Sequence, residues 1–283
     1  MIRPYSPTDL EAIVDMVHED DRMPADDIKE RVEKWTTLVW DDGGVVKGAA
    51  SYQKVKDGEF SIRVFADPGC RHKGIGSELL NASLAGVKEM HEPGRVTVKY
   101  RLDRGESQRF FRNRGFAYWY SMDYLAYEGP AVSLPDLPSG VEIAFYEDRH
   151  YEEFFRVMAE TFLPQRRFFD FRPHDVREFH KSEDDRKRVL ANKNNMLVLL
   201  EHGRLVGISE LEGNFIDTVG IDLAAKGRGY GRALMLGAMN LLRARGHEVI
   251  ETSVVLGNVP AWRLYNTLGF KRVQADEWAC MWI

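Results

Sequence analysis

Two short glycine-rich segments of this 283-residue sequence have a composition that suits the binding of phosphate groups. One runs from Lys226 to Gly231 and the other from Arg71 to Gly76, and each is followed by residues with helical hydrophobic spacing. Glycines permit tight turns and let a ligand approach the backbone closely. The N–H groups left open at the start of a helix attract a pyrophosphate. The two segments therefore predict two anion-binding loops.

Neither segment fits the two best-known phosphate-binding motifs. In the dinucleotide fingerprint G-x-G-x-x-G, the third glycine would fall at Leu79 or Leu234. In a Walker A loop, Gly69 and Gly74 have the required gap, but Ile75 replaces the lysine. The pattern that remains is R/Q-x-x-G-x-G, which the segment from Arg71 matches fully and the segment from Lys226 matches with a lysine in the first position.

A second spaced pattern, N-x-x-A-x-x-x-Y-x-x-x-G-F, follows in the C-terminal half and consists of Asn258, Ala261, Tyr265, Gly269 and Phe270. A tyrosine with an ordinary pKa of about 10 keeps its proton at neutral pH and can donate it to a leaving group. In the N-terminal half Phe111 stands at the position of Tyr265 and has no proton to donate. The two halves therefore differ at this position in their ability to donate a proton.

The chain repeats itself once. The two glycine-rich loops are 155 positions apart, and the segments that end in Phe116 and Phe270 are 154 positions apart. Two matches at nearly one offset indicate two copies of the same fold. The segment 129–140 is rich in glycine and proline and predicts a linker. We place an N-terminal domain at residues 1–132 and a C-terminal domain at residues 133–283.

Hydrophobic periodicity predicts the same order of elements in both copies. In the C-terminal copy strands and helices are expected at 196–201, 204–212, 214–223, 229–245, 249–255, 259–268, 270–274 and 278–283. Antiparallel strands followed by strand, loop, helix and strand predict an α+β class. Each of the two tandem copies should contain a mixed, mainly antiparallel twisted sheet flanked by helices.

Together these features resemble the GNAT acetyltransferase superfamily over nearly the whole chain, in a tandem arrangement similar to that of the mycothiol synthases. The resemblance implies that the strand before each loop pairs with the pantetheine of acetyl-CoA and that the loop holds its pyrophosphate. In the C-terminal copy it assigns cofactor binding to Val219, Ile221, Lys226, Gly227, Arg228, Gly229, Gly231, Arg232 and Asn258. In the N-terminal copy it assigns this role to Ala66, Arg71, Lys73, Gly74, Gly76 and Ser77. One departure is Lys226, because the family usually has Arg or Gln there.

The resemblance also implies catalytic roles. It makes Tyr265 the acid that protonates the leaving thiolate, and backbone amides around Val219 are the expected oxyanion donors. The candidate general bases are Glu210, Glu212 and Asp217, of which we place Glu212 first. These roles predict a catalytic C-terminal copy that moves acetyl from acetyl-CoA to a primary amine in a ternary complex. The alternatives are a non-catalytic acyl-CoA-binding or interaction protein, and a chain whose first copy is the active one.

The composition of the chain limits the classes of binding partner that we expect. A net charge of -5 and a pI near 6.0 favour neither nucleic acid nor an anionic membrane. No signal peptide or long apolar run is recognisable, so we expect a cytoplasmic protein. Cys70 and Cys280 predict free thiols, and no metal-ligand spacing is found. We expect acetyl-CoA as co-substrate, no metal, and a monomer or homodimer.

The acceptor is expected to be a small molecule with an amine. The segment 165–172 is basic and aromatic, which suits either contact with a polar, negatively charged acceptor or packing between the two copies. Antibiotics, polyamines, amino acids and protein N-termini all remain open as acceptors.

Overall fold

The protein forms two compact units in a computed structural model that describes residues 1–21, 23–180 and 182–283. The first unit consists of Met1–Ser121 together with Ala275–Ile283, and the second consists of Met122–Gln274. Each unit therefore contains the greater part of one sequence copy and a segment of the other.

Both sequence copies contain the same order of elements: a strand, two helices, three strands, a helix, a strand, a helix and a strand. The first copy contains β1 (Ile2–Pro4), α1 (Leu10–Asp20), α2 (Ala25–Lys34), β2 (Thr36–Asp42), β3 (Val45–Lys56), β4 (Glu59–Ala66), α3 (Ile75–Lys88), β5 (Arg95–Arg101), α4 (Gly105–Arg112) and β6 (Ala117–Tyr127). The second contains β7 (Val141–Phe145), α5 (Tyr151–Phe168), α6 (Glu183–Ala191), β8 (Met196–Glu201), β9 (Arg204–Glu212), β10 (Phe215–Ile221), α7 (Tyr230–Ala244), β11 (Ile250–Val255), α8 (Val259–Thr267) and β12 (Lys271–Trp282).

The strands of each unit form a mixed sheet. In the first unit the order is β1-β2-β3-β4-β5, followed by the C-terminal half of β12. In the second unit the order is β7-β8-β9-β10-β11, followed by the C-terminal half of β6. Within the described part of each unit, β4–β5 and β10–β11 are parallel pairs and the other pairs are antiparallel. This architecture confirms the predicted α+β class with two tandem copies.

The last strand of each copy crosses into the other unit. The register of β12 runs from Asp276 opposite Arg101 to Trp282 opposite Arg95. The sequence indicated strands at 270–274 and 278–283, but they form one continuous strand, and its partner was not foreseen because alternation defines a face and not a neighbour. The boundary between residues 132 and 133 stays a prediction about the sequence copies, since the compact units divide at other positions.

Helices α5 and α7 cover opposite faces of the second sheet. Val198 packs with Phe154 of α5, whereas Leu199, the next residue of β8, packs with Leu234 of α7. Adjacent residues of a strand point to opposite faces, so the two helices bury different sides. Each such side chain contributes about 1.5–3 kcal/mol when fully buried. Among the residues the structure describes, no helix combines the length and apolar character needed to cross a membrane.

Candidate active site

The C-terminal glycine-rich loop joins β10 to α7 through a backbone that requires glycine. Asp222 follows β10, and its carboxylate accepts a hydrogen bond from the N–H of Ala224 (2.9 Å). Gly227 (φ 78°) and Gly229 (φ 84°) then adopt the left-handed region, and Gly229 is the N-cap of α7. Because no side chain covers the N-cap, the first N–H groups of α7 are accessible to an anion.

Strands β10 and β11 separate close to this loop. Their parallel register ends at the pair of Ile216 and Thr252. Immediately beyond it, β10 has a β-bulge against β9, in which Asp217 is the additional residue before Thr218. The bulge and the end of the register together open a wedge between the two strands.

Beyond the bulge, alternate residues of β10 direct their backbone groups into the wedge. The N–H of Asp222 donates to the carbonyl of Val206 on β9 (2.9 Å). In an antiparallel pair, backbone groups of successive residues point to opposite sides, so Val219 and Ile221 point away from β9. The Ile221 carbonyl indeed accepts a hydrogen bond from the Thr161 hydroxyl of α5 (3.1 Å). An extended ligand chain in the wedge can therefore pair with the backbone of Val219.

A cavity of about 810 Å³ occupies the wedge and reaches the loop. It is lined by seven of the nine residues predicted to bind the cofactor in this copy: Val219, Ile221, Lys226, Gly227, Gly229, Gly231 and Asn258. The other two residues, Arg228 and Arg232, do not line the cavity. Arg228 donates to the carboxylate of Glu201 (2.9 Å), and Arg232 is exposed. The Asn258 side chain also accepts from the Ala261 N–H (3.3 Å), so it caps α8.

Tyr265 of α8 lines the same cavity, although only 7% of the residue is exposed. Burial raises the pKa of the Tyr265 phenol, and the neighbouring Thr252 side chain opposes this rise only in part. Thr252 donates its own proton to the Ile216 carbonyl (2.8 Å), which fixes its hydroxyl at the end of the parallel register. The tyrosine thus holds a proton beside the last paired residues of β10 and β11.

Glu210 of β9 is the candidate base that lies in the most enclosed environment. It is half-buried between Met196 of β8 and Thr218 of β10. Burial, followed by the negative charge of Asp217, raises the pKa of Glu210 to about 7. The Asp217 charge also raises the pKa of Tyr265, so the three groups lie within electrostatic range of one another. A carboxylate with this pKa can accept a proton near neutral pH.

Glu212, the first choice from the sequence, is exposed two residues further along β9. Both carboxylates point to the same face of the sheet because strand side chains alternate. Glu212 lies beyond the end of β8, whose first residue, Met196, pairs with Glu210. The length of β8 thus decides which carboxylate is covered. Glu212 as the base stays a prediction, and the surroundings of Glu210 suit the role better.

The N-terminal copy has a corresponding cavity of about 820 Å³. It is lined by five of the six residues predicted to bind the cofactor there: Ala66, Arg71, Gly74, Gly76 and Ser77. Lys73 lies outside, with its ammonium donating to the Gly69 carbonyl (3.2 Å). Gly74 is the left-handed N-cap of α3 (φ 88°), as Gly229 is of α7. The loop geometry is therefore repeated in both copies.

The N-terminal copy differs from the C-terminal copy at the strand bulge and at the positions of the candidate acid and base. Strand β4 pairs with β3 without a bulge from Phe60 to Ala66. The last parallel pair is Ile62 with Val98, which matches Ile216 with Thr252 in the other copy. With these pairs aligned, the positions of Tyr265, Thr252 and Glu210 are occupied by Phe111, Val98 and Ser51. None of the three replacements can act as a neutral-pH acid or base.

Two tandem α+β units, each with a glycine-rich loop beside a splayed parallel strand pair, define a tandem acyltransferase architecture. The model of the family described as Acetyltransferase (GNAT) family matches residues 8–116 and 149–270. The chain belongs to this family and contains two copies of its domain.

Comparisons with individual proteins support this family assignment. A mycothiol acetyltransferase from Actinosynnema mirum is 29% identical over 245 residues, which cover 82% of this chain and 79% of that protein. Another from Thermobispora bispora is 30% identical over 220 residues, which cover 74% of this chain and 72% of that protein. A GCN5-related N-acetyltransferase from Sphaerobacter thermophilus has the same fold, with a TM-score of 0.79 and 18% identity over 100% of this chain and 95% of that one. The chain is an acyl-CoA-dependent acetyltransferase, and the predicted tandem GNAT resemblance is confirmed.

The two N-cap glycines provide a matched test of CoA binding. We expect Gly229→Ala to weaken CoA binding by about 5–30-fold, because alanine in the left-handed region costs about 1–2 kcal/mol and a relaxed backbone misdirects the N–H groups. An added Cβ meets no atom within 4 Å at Gly229, so the effect comes from the backbone. Isothermal titration of CoA measures it, and Gly74→Ala reports on the N-terminal loop. Unchanged affinity in both variants would contradict the assignment of the loops.

Proposed function

We propose that the C-terminal copy transfers the acetyl group of acetyl-CoA to a primary amine of a small molecule, by direct attack within a ternary complex. The observation that carries this proposal is that, among the described residues, this copy alone combines a backbone donor and a buried phenol at the wedge with a carboxylate of raised pKa on the adjacent strand β9. These are the inward-facing N–H of Val219, the buried phenol of Tyr265 and the carboxylate of Glu210. The N-terminal copy binds CoA without catalysis.

The reaction begins with the amine. Glu210 accepts a proton from the incoming ammonium, and the neutral nitrogen attacks the thioester carbonyl carbon. The new C–N bond pushes the carbonyl electrons onto oxygen, where the Val219 N–H stabilises the negative charge. A backbone donor needs no particular side chain, which agrees with an ordinary valine at this position.

The intermediate then collapses to products. The C=O bond reforms, the C–S bond breaks, and the electron pair leaves with the CoA sulfur. Tyr265 gives its phenolic proton to this thiolate, and the surplus proton on the former amine nitrogen passes to solvent. The products are an amide and free CoA thiol. Because Tyr265 has a raised pKa, it reclaims a proton readily for the next cycle.

The acceptor enters from the side of α5. The cavity is lined there by Thr161, Phe162, Gln165, Phe168 and Phe169. Aromatic rings beside an amide side chain suit a polar, ring-containing amine. The names of the curated relatives support an acceptor related to mycothiol.

Acetyl transfer is tested by following CoA thiol release with acetyl-CoA and a panel of amines. The panel contains deacetylated mycothiol, amino sugars, polyamines, amino acids and N-terminal peptides. The proposal expects turnover with a small amine and stoichiometric amide by mass spectrometry. CoA binding without turnover on any amine would favour a non-catalytic acyl-CoA-binding protein.

The pH dependence of the reaction provides a separate prediction for Asp217. Its negative charge favours the protonated form of Glu210 and so raises the pKa of that base. Asp217→Asn removes the charge, the pKa of Glu210 falls, and the deprotonated base persists to lower pH. We therefore expect the acidic limb of the kcat/KM profile to shift to lower pH. An unmoved limb, or one displaced to higher pH, would exclude Glu210 as the group that titrates.

A further inference from the structure

Helix α5 closes the wedge on the side opposite Tyr265 through one fixed aromatic ring. The Thr161 hydroxyl donates to the Ile221 carbonyl (3.1 Å) and ties the helix to β10. The next residue, Phe162, lines the cavity and packs against the buried cluster under α5. Its Cε2 atom lies 3.5 Å from the position that a Cβ of Gly220 would take. The ring is therefore held over a bare stretch of the strand next to Val219.

The N-terminal copy shows that the bare stretch is particular to the C-terminal copy. Val64 and Ala66 line the N-terminal cavity as Val219 and Ile221 line the other, so Phe65 stands where the C-terminal copy has Gly220. The Phe65 ring fills this face of its strand and lies under the guanidinium of Arg31, 5.3 Å from the ring centre. In the C-terminal copy, the glycine leaves a space that Ile208 of β9 (3.1 Å from the position of a Gly220 Cβ) and Phe162 of α5 (3.5 Å) border together.

This space lies where the acyl group of a bound thioester must go. If the carbonyl oxygen pairs with the Val219 N–H and the sulfur leads toward the loop, the acyl carbons point away from both. Apart from the loop, β10 and the segment 255–265, the residues that line the cavity belong to α5 and to the residue that follows it. We propose that Phe162, seated over Gly220, limits the length of the acyl chain and makes acetyl the preferred donor group. This inference rests on the proposed function of the same site.

Chain-length selectivity of acyl transfer tests the role of Phe162. In the full-length protein, the kcat/KM for acetyl-CoA is compared with that for butyryl-CoA, with the same amine. Each methylene that a hydrophobic pocket must accept or reject is worth about 10–200-fold. We expect Phe162→Ala to shift the ratio toward butyryl-CoA by at least about tenfold. An unchanged ratio in a folded Phe162→Ala protein would overturn the proposal, as would a change confined to the KM of the amine.

A neighbouring variant controls for general damage to α5. Leu163 follows Phe162 on the helix, is half-buried and does not line the cavity. Leu163→Ala should leave the butyryl-to-acetyl ratio as it is in the unaltered protein. If it moved the ratio as far as Phe162→Ala does, the selectivity would reflect helix position and not the ring.

The affinities of the two acyl-CoA molecules in the absence of an amine distinguish a failure of this inference from a failure of the proposed function. Dissociation constants of acetyl-CoA and butyryl-CoA are measured by titration with no amine present. We expect Phe162→Ala to improve the relative affinity for butyryl-CoA even when no turnover is detectable. Turnover by the unaltered protein together with unchanged relative affinities in Phe162→Ala would reject the ring as the limit and leave acetyl transfer intact.

Discussion

Tyr265→Phe lowers kcat for acetyl transfer by about 10²–10⁴-fold, the usual contribution of a positioned general acid. The phenol lines the cavity with its pKa raised by burial, so it is protonated at neutral pH when the thiolate leaves. Phenylalanine keeps the ring volume and removes the proton. The loss should appear in kcat, with the KM for acetyl-CoA changed by no more than about twofold, because the hydroxyl acts in the transition state.

The reciprocal variant in the other copy serves as its control. Phe111→Tyr places a phenol in the N-terminal copy, where Val98 replaces Thr252 and β4 has no bulge. We expect no gain of activity in a Tyr265→Phe background, because the base is also missing there: Ser51 stands at the position of Glu210. Full activity in the single variant Tyr265→Phe, with its melting temperature preserved, would contradict the acid role.

Glu210→Gln is expected to have the second large effect. Removal of a general base costs about 10²–10⁴-fold in kcat/KM at neutral pH. The acidic limb of the profile, set by a pKa of about 7, should disappear in this variant. At a pH above the pKa of the amine the defect should shrink, since the nucleophile is then neutral without help.

Glu212→Gln is the matched comparison for Glu210→Gln. The two carboxylates share a face of β9, and Glu212 is exposed beyond the end of β8. A small effect at Glu212 with a large one at Glu210 supports the assignment from the structure. The reverse result would restore the choice made from the sequence and exclude the enclosed carboxylate.

Much of the site was predictable because it depends on local sequence. Glycine is favoured where φ is positive before a helix, so the positions of Gly74 and Gly229 follow from spacing, although His72 has the same left-handed conformation (φ 62°) at the position of Gly227. The position of Tyr265 in its helical pattern is local in the same sense. The internal sequence repeat, at a nearly constant offset, made the tandem architecture and the α+β class predictable as well.

The features that the sequence did not predict depend on pairing between strands that are distant in the chain. The bulge at Asp217 arises from the register between β9 and β10, and the enclosure of Glu210 depends on where β8 begins. Neither quantity is encoded in a short stretch of sequence. Arg228 was assigned to the cofactor from its place in the loop, yet its guanidinium bonds to Glu201 on β8. The exchange of β6 and β12 between the units is another pairing that periodicity cannot specify.

A structure of the protein with bound CoA measures the decisive geometry. We expect the pyrophosphate on the N–H groups that begin α7, the pantetheine along Val219, and the CoA sulfur within hydrogen-bonding reach of the Tyr265 hydroxyl. Coenzyme bound in the N-terminal cavity with the C-terminal wedge empty at saturation, or a sulfur directed away from Tyr265, would contradict acetyl transfer at this site.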